Sequence, residues 1–122
     1  MTNLADLMPF SKLMGLEILE ATPTRVTARL KVHADLFTTS GILHGGAAMA
    51  DAMGAVGGFL NLAPGARTTT LESKTNFLGA AVEGSTVLGA TTPIHIGRAT
   101  SVWQTRITRE DGKPVALVSR PR

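Results

Sequence analysis

Residues 45–61 read Gly45-Gly46-Ala47-Ala48-Met49-Ala50-Asp51-Ala52-Met53-Gly54-Ala55-Val56-Gly57-Gly58-Phe59-Leu60-Asn61. The stretch has no proline, one charge, and many of the residues that cost least in a helix. Its apolar side chains fall on every side of a helical wheel, the pattern of a helix buried all round. Pro64-Gly65 is expected to end it. A helix that apolar must be enclosed by the rest of the chain, so the flanking segments decide what encloses it.

Those segments read as strands. Thr24 to Val32 alternates, with Val26, Ala28, Leu30 and Val32 on one side and Arg25, Thr27, Arg29 and Lys31 on the other. This is a strand with one wet face. Leu16 to Ala21 precedes it across a Thr22-Pro23 turn, and Leu4, Leu7 and Met8 place a short helix before that, up to about Leu13. Residues 33–44 read as a loop. Beyond the central helix, Arg67 to Phe77, Thr86 to Ile96, Thr100 to Thr108 and Pro114 to Ser119 read as strands, the last two joined by a turn at Glu110-Asp111-Gly112-Lys113. The predicted fold class is α+β: an antiparallel sheet wrapped around a central buried helix. The chain of 122 residues forms one domain, residues 1–122.

With no cysteine, the chain has no disulfide, thiolate nucleophile or cysteine-ligated metal; with no tyrosine, it has no phenolic acid–base group. His33, His44 and His95 lack metal-ligand spacing, so no metal site is expected. The net charge is +3, unevenly placed: residues 91–122 carry six basic residues against two acidic ones, a balance of +4. That asymmetry suggests an anionic partner, a phosphorylated small molecule or a nucleic acid, with a solvated basic face as the competing reading. Aromatic residues, at 4%, are too few for a base-stacking platform, so no nucleic acid is expected. The apolar run Gly45–Leu60 is too short to span a bilayer, and the N-terminus lacks a basic leader. The expectation is a soluble, cytoplasmic protein with no membrane partner.

Two features could carry chemistry. Asp51 is the one charge in an apolar helix, where a carboxylate must be paired, protonated or in use, and where burial would raise its pKa. His44-Gly45-Gly46 stands where loop becomes helix, and glycines there leave open backbone N–H groups at the positive end of the helix dipole, a place for an oxyanion. Glu72 and Lys74, two apart on a strand, read as a surface pair. Trp103 reads as core or interface, and Met8, Met14, Met49 and Met53 as core filling, with an acyl-chain lining as the alternative.

The run Gly41-Ile42-Leu43-His44-Gly45-Gly46, the small-residue helix bearing one acid, the strand from Thr68 to Leu78, Gly97-Arg98 and Asp111-Gly112-Lys113 together resemble the PaaI-like hotdog-fold thioesterases, over roughly residues 10–120. The resemblance implies hydrolysis of an acyl-CoA thioester, with coenzyme A as part of the substrate and no separate cofactor. It implies that the Gly45 N–H polarises the carbonyl, that His44 and Gly46 help shape the site, and that Asp51 is the nucleophile or the base for water. Thr70 would help position the water or the acid. Gly97 and Arg98 would meet the phosphates of coenzyme A. Thr38 stands where relatives often have Asn or Gln, without their amide.

Six helical residues separate Gly45 from Asp51, about 9 Å along the axis. One carbonyl does not easily meet both in one chain, which agrees with the family arrangement in which the acid comes from a second subunit. A homodimer, assembling further as a dimer of dimers, is therefore expected. The family acid usually follows the histidine by nine positions; Asp51 follows His44 by seven, and position nine is Met53. Aligning on Gly54-Ala55-Val56-Gly57 puts Asp51 on the acid. The competing readings are a non-catalytic acyl-CoA-binding module, a hotdog hydratase and a plain structural oligomer.

Overall fold

A computed structural model describes residues 15–31, 45–62, 65–66, 68–69, 71–79 and 84–122, with the backbone alone described at 45–48, 51 and 77. The elements are β1 (Glu17–Thr22), β2 (Arg25–Lys31), α1 (Gly45–Leu60), β3 (Lys74–Phe77), β4 (Thr86–Ile96), β5 (Ser101–Arg109) and β6 (Pro114–Pro121). The strands form one six-stranded sheet in the order β1-β2-β4-β5-β6-β3. Every neighbouring pair is antiparallel. The expected short N-terminal helix and the loop at 33–44 lie outside the described residues.

The alternation read in β2 is the alternation observed. Val26, Ala28 and Leu30 are buried while Arg25, Arg29 and Lys31 are exposed. Val87 on β4, Trp103 and Ile107 on β5, and Ala116 and Val118 on β6 continue that inner face. Thr91 and Thr105 also lie in it. They sit directly opposite each other on β4 and β5, and their hydroxyls share a hydrogen bond of 2.6 Å, so two buried polar groups satisfy one another.

The helix lies across this face on a stripe one turn apart. A Cβ added at Gly89 of β4 would stand 2.7 Å from both Met49 Cε and Met53 Sδ, and one added at Gly57 would stand 2.7 Å from Trp103 Cζ3. Met49, Met53 and Trp103 are core residues, as their types suggested. The glycines of α1 also serve the chain's own packing: Gly57 admits the Trp103 ring, and Gly54 and Gly58 lie under Arg122.

Two expectations are corrected, on the enclosure of the helix and the length of the strand before Phe77. The helix is not enclosed all round within one protomer: Phe59 is 70% exposed and Ala55, one turn earlier, half-buried, because this stripe turns away from the sheet. The helix expected from about Gly45 to Asn61 is observed over Gly45–Leu60. Asn61 closes it, its Nδ2 donating to the carbonyls of Gly57 at 2.9 Å and Pro23 at 2.7 Å, which satisfies a helix-end acceptor and ties the β1–β2 turn to α1. The strand expected over Arg67–Phe77 is regular only over Lys74–Phe77. Leu71 N donates to Pro121 O at 2.9 Å, one residue out of register with the Lys74–Ser119 pairing, so the ladder breaks between them. Glu72 and Lys74 are both exposed, in keeping with a surface role.

The β5–β6 turn follows the reading from sequence, and its chemistry is local. Gly112 takes a φ of +88°, open to glycine at little cost. Asp111 accepts the backbone N–H of Lys113 at 3.0 Å and the Nε of Arg109 at 3.2 Å. The Arg109 guanidinium, then the Lys113 amide, holds the Asp111 carboxyl down at about 2.

Candidate active site

The helix α1 begins at Gly45, with Gly46 behind it. The first N–H groups of any helix have no partner within it, so the amides of Gly45 and Gly46 are not used inside α1 and stand at the positive end of its dipole. Neither glycine offers a Cβ to crowd an approaching oxygen.

Six residues on, position 51 has helical backbone. Its place on the helix follows from its neighbours. Met49, Met53 and Gly57 face the sheet. At about 100° per residue, position 51 lies about 200° round from Met49 and about 160° from Met53, on the side away from the sheet. The residue nine positions after His44, Met53, is wholly buried against Gly89. An acid at 53 would be packed into the protomer's own core. The spacing of seven therefore sets the only charge of α1 on the opposite face of the helix.

That face is not bare. Arg122 N donates to Ser101 O at 2.6 Å, and Ser101 N donates to Arg122 O at 2.7 Å, extending the β5–β6 ladder past Pro121. The arginine side chain then lies on α1. Its Cδ is 3.4 Å and its Nη1 3.8 Å from where a Gly58 Cβ would be, and its Nε is 3.9 Å from that of Gly54. Arg122 is only 9% exposed. Sequence reading counted it only in the charge balance of the basic C-terminal third, where nothing marked it as buried. The missed signal was the alternation of β6: Ala116, Val118, Arg120 and Arg122 share one side, and two of these are core.

The other basic residues of that third are dispersed. Arg109 is engaged by Asp111. Arg106 lies on the outer face of the sheet, in a shallow depression shared with Leu19, Arg25 and Leu88. Arg98 is exposed at the β4–β5 hairpin, closed by Gly97 N donating to Thr100 O at 2.8 Å. Gly97 has a local reason to be glycine, since a Cβ there would meet His95 Nε2 at 2.9 Å and Thr100 O at 3.0 Å. This hairpin runs directly into Ser101, the residue bonded to Arg122. Gly97, Arg98 and Arg122 therefore share one end of the sheet. Thr38, His44 and Thr70 lie outside the described residues, as does the side chain of Asp51.

Among the described residues no group of three or more His, Asp or Glu could hold a metal, and no helix is long and apolar enough to cross a membrane.

Comparison with known proteins places this architecture. The model of the thioesterase superfamily matches residues 40–116. A 1,4-dihydroxy-2-naphthoyl-CoA hydrolase of Listeria monocytogenes is 29% identical over 112 residues, covering 90% of each chain. The crystal structure of a thioesterase from Haemophilus influenzae superposes with a TM-score of 0.83 at 30% identity, over 97% of this chain and 85% of that one. The PaaI protein of Escherichia coli superposes with a TM-score of 0.82 at 22% identity, over 96% of this chain and 87% of that one, a likeness of fold. The chain belongs to the thioesterase superfamily and has the hotdog fold of its PaaI-like members.

Proposed function

We propose that the protein hydrolyses an acyl-CoA thioester to the free acid and coenzyme A, without a metal, at a site built from two protomers. The observation that carries this reading is the register of α1. One protomer offers the amides of Gly45 and Gly46 at the helix start, and the helix carries its single acid on the face turned from its own sheet. The two lie about 9 Å apart along one helix, so one reacting carbon takes its amide and its carboxylate from different chains.

The thioester oxygen accepts the Gly45 N–H. As the carbonyl becomes tetrahedral, that donor and the helix dipole stabilise the oxyanion, an effect commonly worth about 3 kcal/mol per donor. Asp51 either attacks the carbonyl carbon, with water later cleaving the acyl-enzyme, or removes a proton from the attacking water. In both routes the C–S bond breaks, the electron pair leaves with the sulfur of coenzyme A, and water supplies the oxygen of the acid. His44, Gly46 and Thr38 shape the acyl end, Thr70 orients water, and Gly97 and Arg98 meet the coenzyme phosphates. The name of the Listeria relative, a hydrolase of a CoA thioester, supports the substrate class.

A pairing of protomers is supported by what the single chain leaves uncovered. β3 is an edge strand, flanked by Leu71 at 63% and Leu78 at 56% exposure, and Phe59 of α1 is 70% exposed. An apolar sheet edge of this kind invites a second copy. The proposed assembly is a homodimer, paired again into a dimer of dimers, in the cytoplasm.

The test is thiol release from acetyl-, hexanoyl- and benzoyl-CoA by the wild type and by Asp51→Asn. Turnover abolished in a folded Asp51→Asn protein supports the hydrolase. Tight binding without turnover in the wild type points instead to an acyl-CoA-binding module.

A further inference from the structure

The outer face of the sheet, opposite the one that carries α1, holds a hollow of about 260 Å3 spanning β1, β2, β4 and β5. Its floor follows from the register. Thr27, Ala90 and Arg106 sit opposite one another on β2, β4 and β5, and Arg29, Leu88 and Thr108 form the next row. At the centre of these rows Ala90 has only a methyl group, so the sheet surface dips there. Leu88, 38% exposed, forms one wall. Leu19, 51% exposed, forms another; it is the extra residue of a β-bulge between Ile18 and Glu20, a device that re-aims a side chain. The sheet separates the hollow from α1, since Gly89 meets Met49 and Met53 on the other side.

Two cations line this apolar dip. Arg25 and Arg106 are both exposed, and among the described residues neither guanidinium has a hydrogen-bond or ion-pair partner, unlike Arg29 on Glu17 and Arg109 on Asp111. One strand separates them, and they stand two residues apart along the sheet, which puts their Cα atoms about 12 Å apart. Two arginine side chains can close such a gap around one small anion. A guanidinium binds a carboxylate through two parallel N–H bonds, and the Thr27 and Thr108 hydroxyls on the same lining add donors. Glu20, opposite Thr27 on β1, is exposed and is not part of the lining.

We propose that this hollow binds a small apolar carboxylate, the class of acid that thioester hydrolysis releases, with its carboxylate between Arg25 and Arg106 and its hydrocarbon on Ala90, Leu19 and Leu88. The choice of carboxylate rests on the hydrolase reading; the hollow and its two unengaged cations do not. A volume below that of an ordinary ligand pocket restricts the occupant to a small molecule. A second copy of the chain fits less well, because a two-fold contact sets one patch against itself and so brings these arginines against their own counterparts.

The experiment titrates hexanoate into the full-length 15N-labelled protein at pH 7.5 and follows the amides of Thr27, Ala90 and Thr108. Hexanol, the neutral analogue, and coenzyme A, a phosphate-bearing anion, are titrated in parallel. Saturable shifts at these amides with hexanoate, and not with hexanol, are expected. The double variant Arg25→Gln with Arg106→Gln should weaken Kd at least tenfold. Ala90→Leu, which fills the floor and keeps both cations, should do the same. Both variants should keep the wild-type sedimentation coefficient and the wild-type rate of thiol release. No saturable shift up to about 50 mM hexanoate overturns the site. So does equal binding of hexanol, which removes the role of the cations, or binding of coenzyme A alone, which makes the ligand a phosphate. A changed sedimentation coefficient in the variants overturns it as well, by showing that a second copy covers this face. The shifts require no turnover, so they decide the site even if the wild type releases no thiol and the hydrolase reading fails.

Discussion

The ring of Trp103 lies directly on Gly57: a Cβ at that position would stand 2.7 Å from Cζ3, 2.9 Å from Cη2 and 3.1 Å from Cε3. The indole is 1% exposed and its Nε1 donates to Ser101 Oγ at 2.9 Å, so it has little freedom to retreat. This contact sets how closely the helix bearing Asp51 approaches β5.

Gly57→Ala is therefore expected to destabilise the protein despite alanine's better helix propensity. Overpacking of this kind costs about 1–3 kcal/mol, against about 1 kcal/mol gained from replacing glycine. Gly89→Ala makes an equally short contact, but with the ends of Met49 and Met53, which can swing aside. The two variants, compared by urea denaturation, should rank Gly57→Ala as the less stable.

Thr91 and Thr105 should behave as a coupled pair. Thr91→Val or Thr105→Val alone leaves one buried hydroxyl without its partner, at a cost of about 1–3 kcal/mol. The double Val variant removes both polar groups and should lose less than the sum of the singles. Additive losses in a double-mutant cycle would contradict the 2.6 Å bond.

The register of α1 predicts that the acid cannot be moved to the commoner family spacing. In the double variant Asp51→Asn with Met53→Glu, the carboxylate enters the core beside Gly89, where an unpaired charge costs about 3 kcal/mol or more. Expected results are a large drop in melting temperature and no thiol release. A well-folded, active double variant would show that the helix can rotate.

Asp111 gives an acid-side signature. Its carboxyl is held at about 2 in the folded protein by Arg109 and the Lys113 amide. In the unfolded chain it reverts to about 3.9. Because the folded value is depressed, the stabilisation is present above the unfolded value and is lost as pH falls through the folded one. The difference in melting temperature between wild type and Asp111→Asn should be constant near neutrality and shrink between about pH 4 and pH 2. High salt should reduce it, since the pair is exposed.

Much of this was legible along the chain. Patterns of period two and period 3.6 are local, so β2, α1, β4, β5 and the Glu110–Lys113 turn could be read from neighbouring residues. Asp51 stood out because a charge among alanines and methionines conflicts with its surroundings. The tie from the helix end to the β1–β2 turn was less legible, because Asn61 reaches Pro23 across 38 positions of sequence.

By itself, the order of residues determined that one apolar helix would be covered by antiparallel strands, that no thiol or phenol could take part, and that a single acid would ride on that helix. Which way the acid's face turns was decided by tertiary packing, through Met53 on Gly89 and Trp103 on Gly57. So was the burial of Arg122, because a cation at the end of a strand looks the same in sequence whether it meets solvent or folds back onto a helix 64 positions earlier at Gly58. Burial and pairing belong to residues brought together across the fold, and no local pattern encodes them.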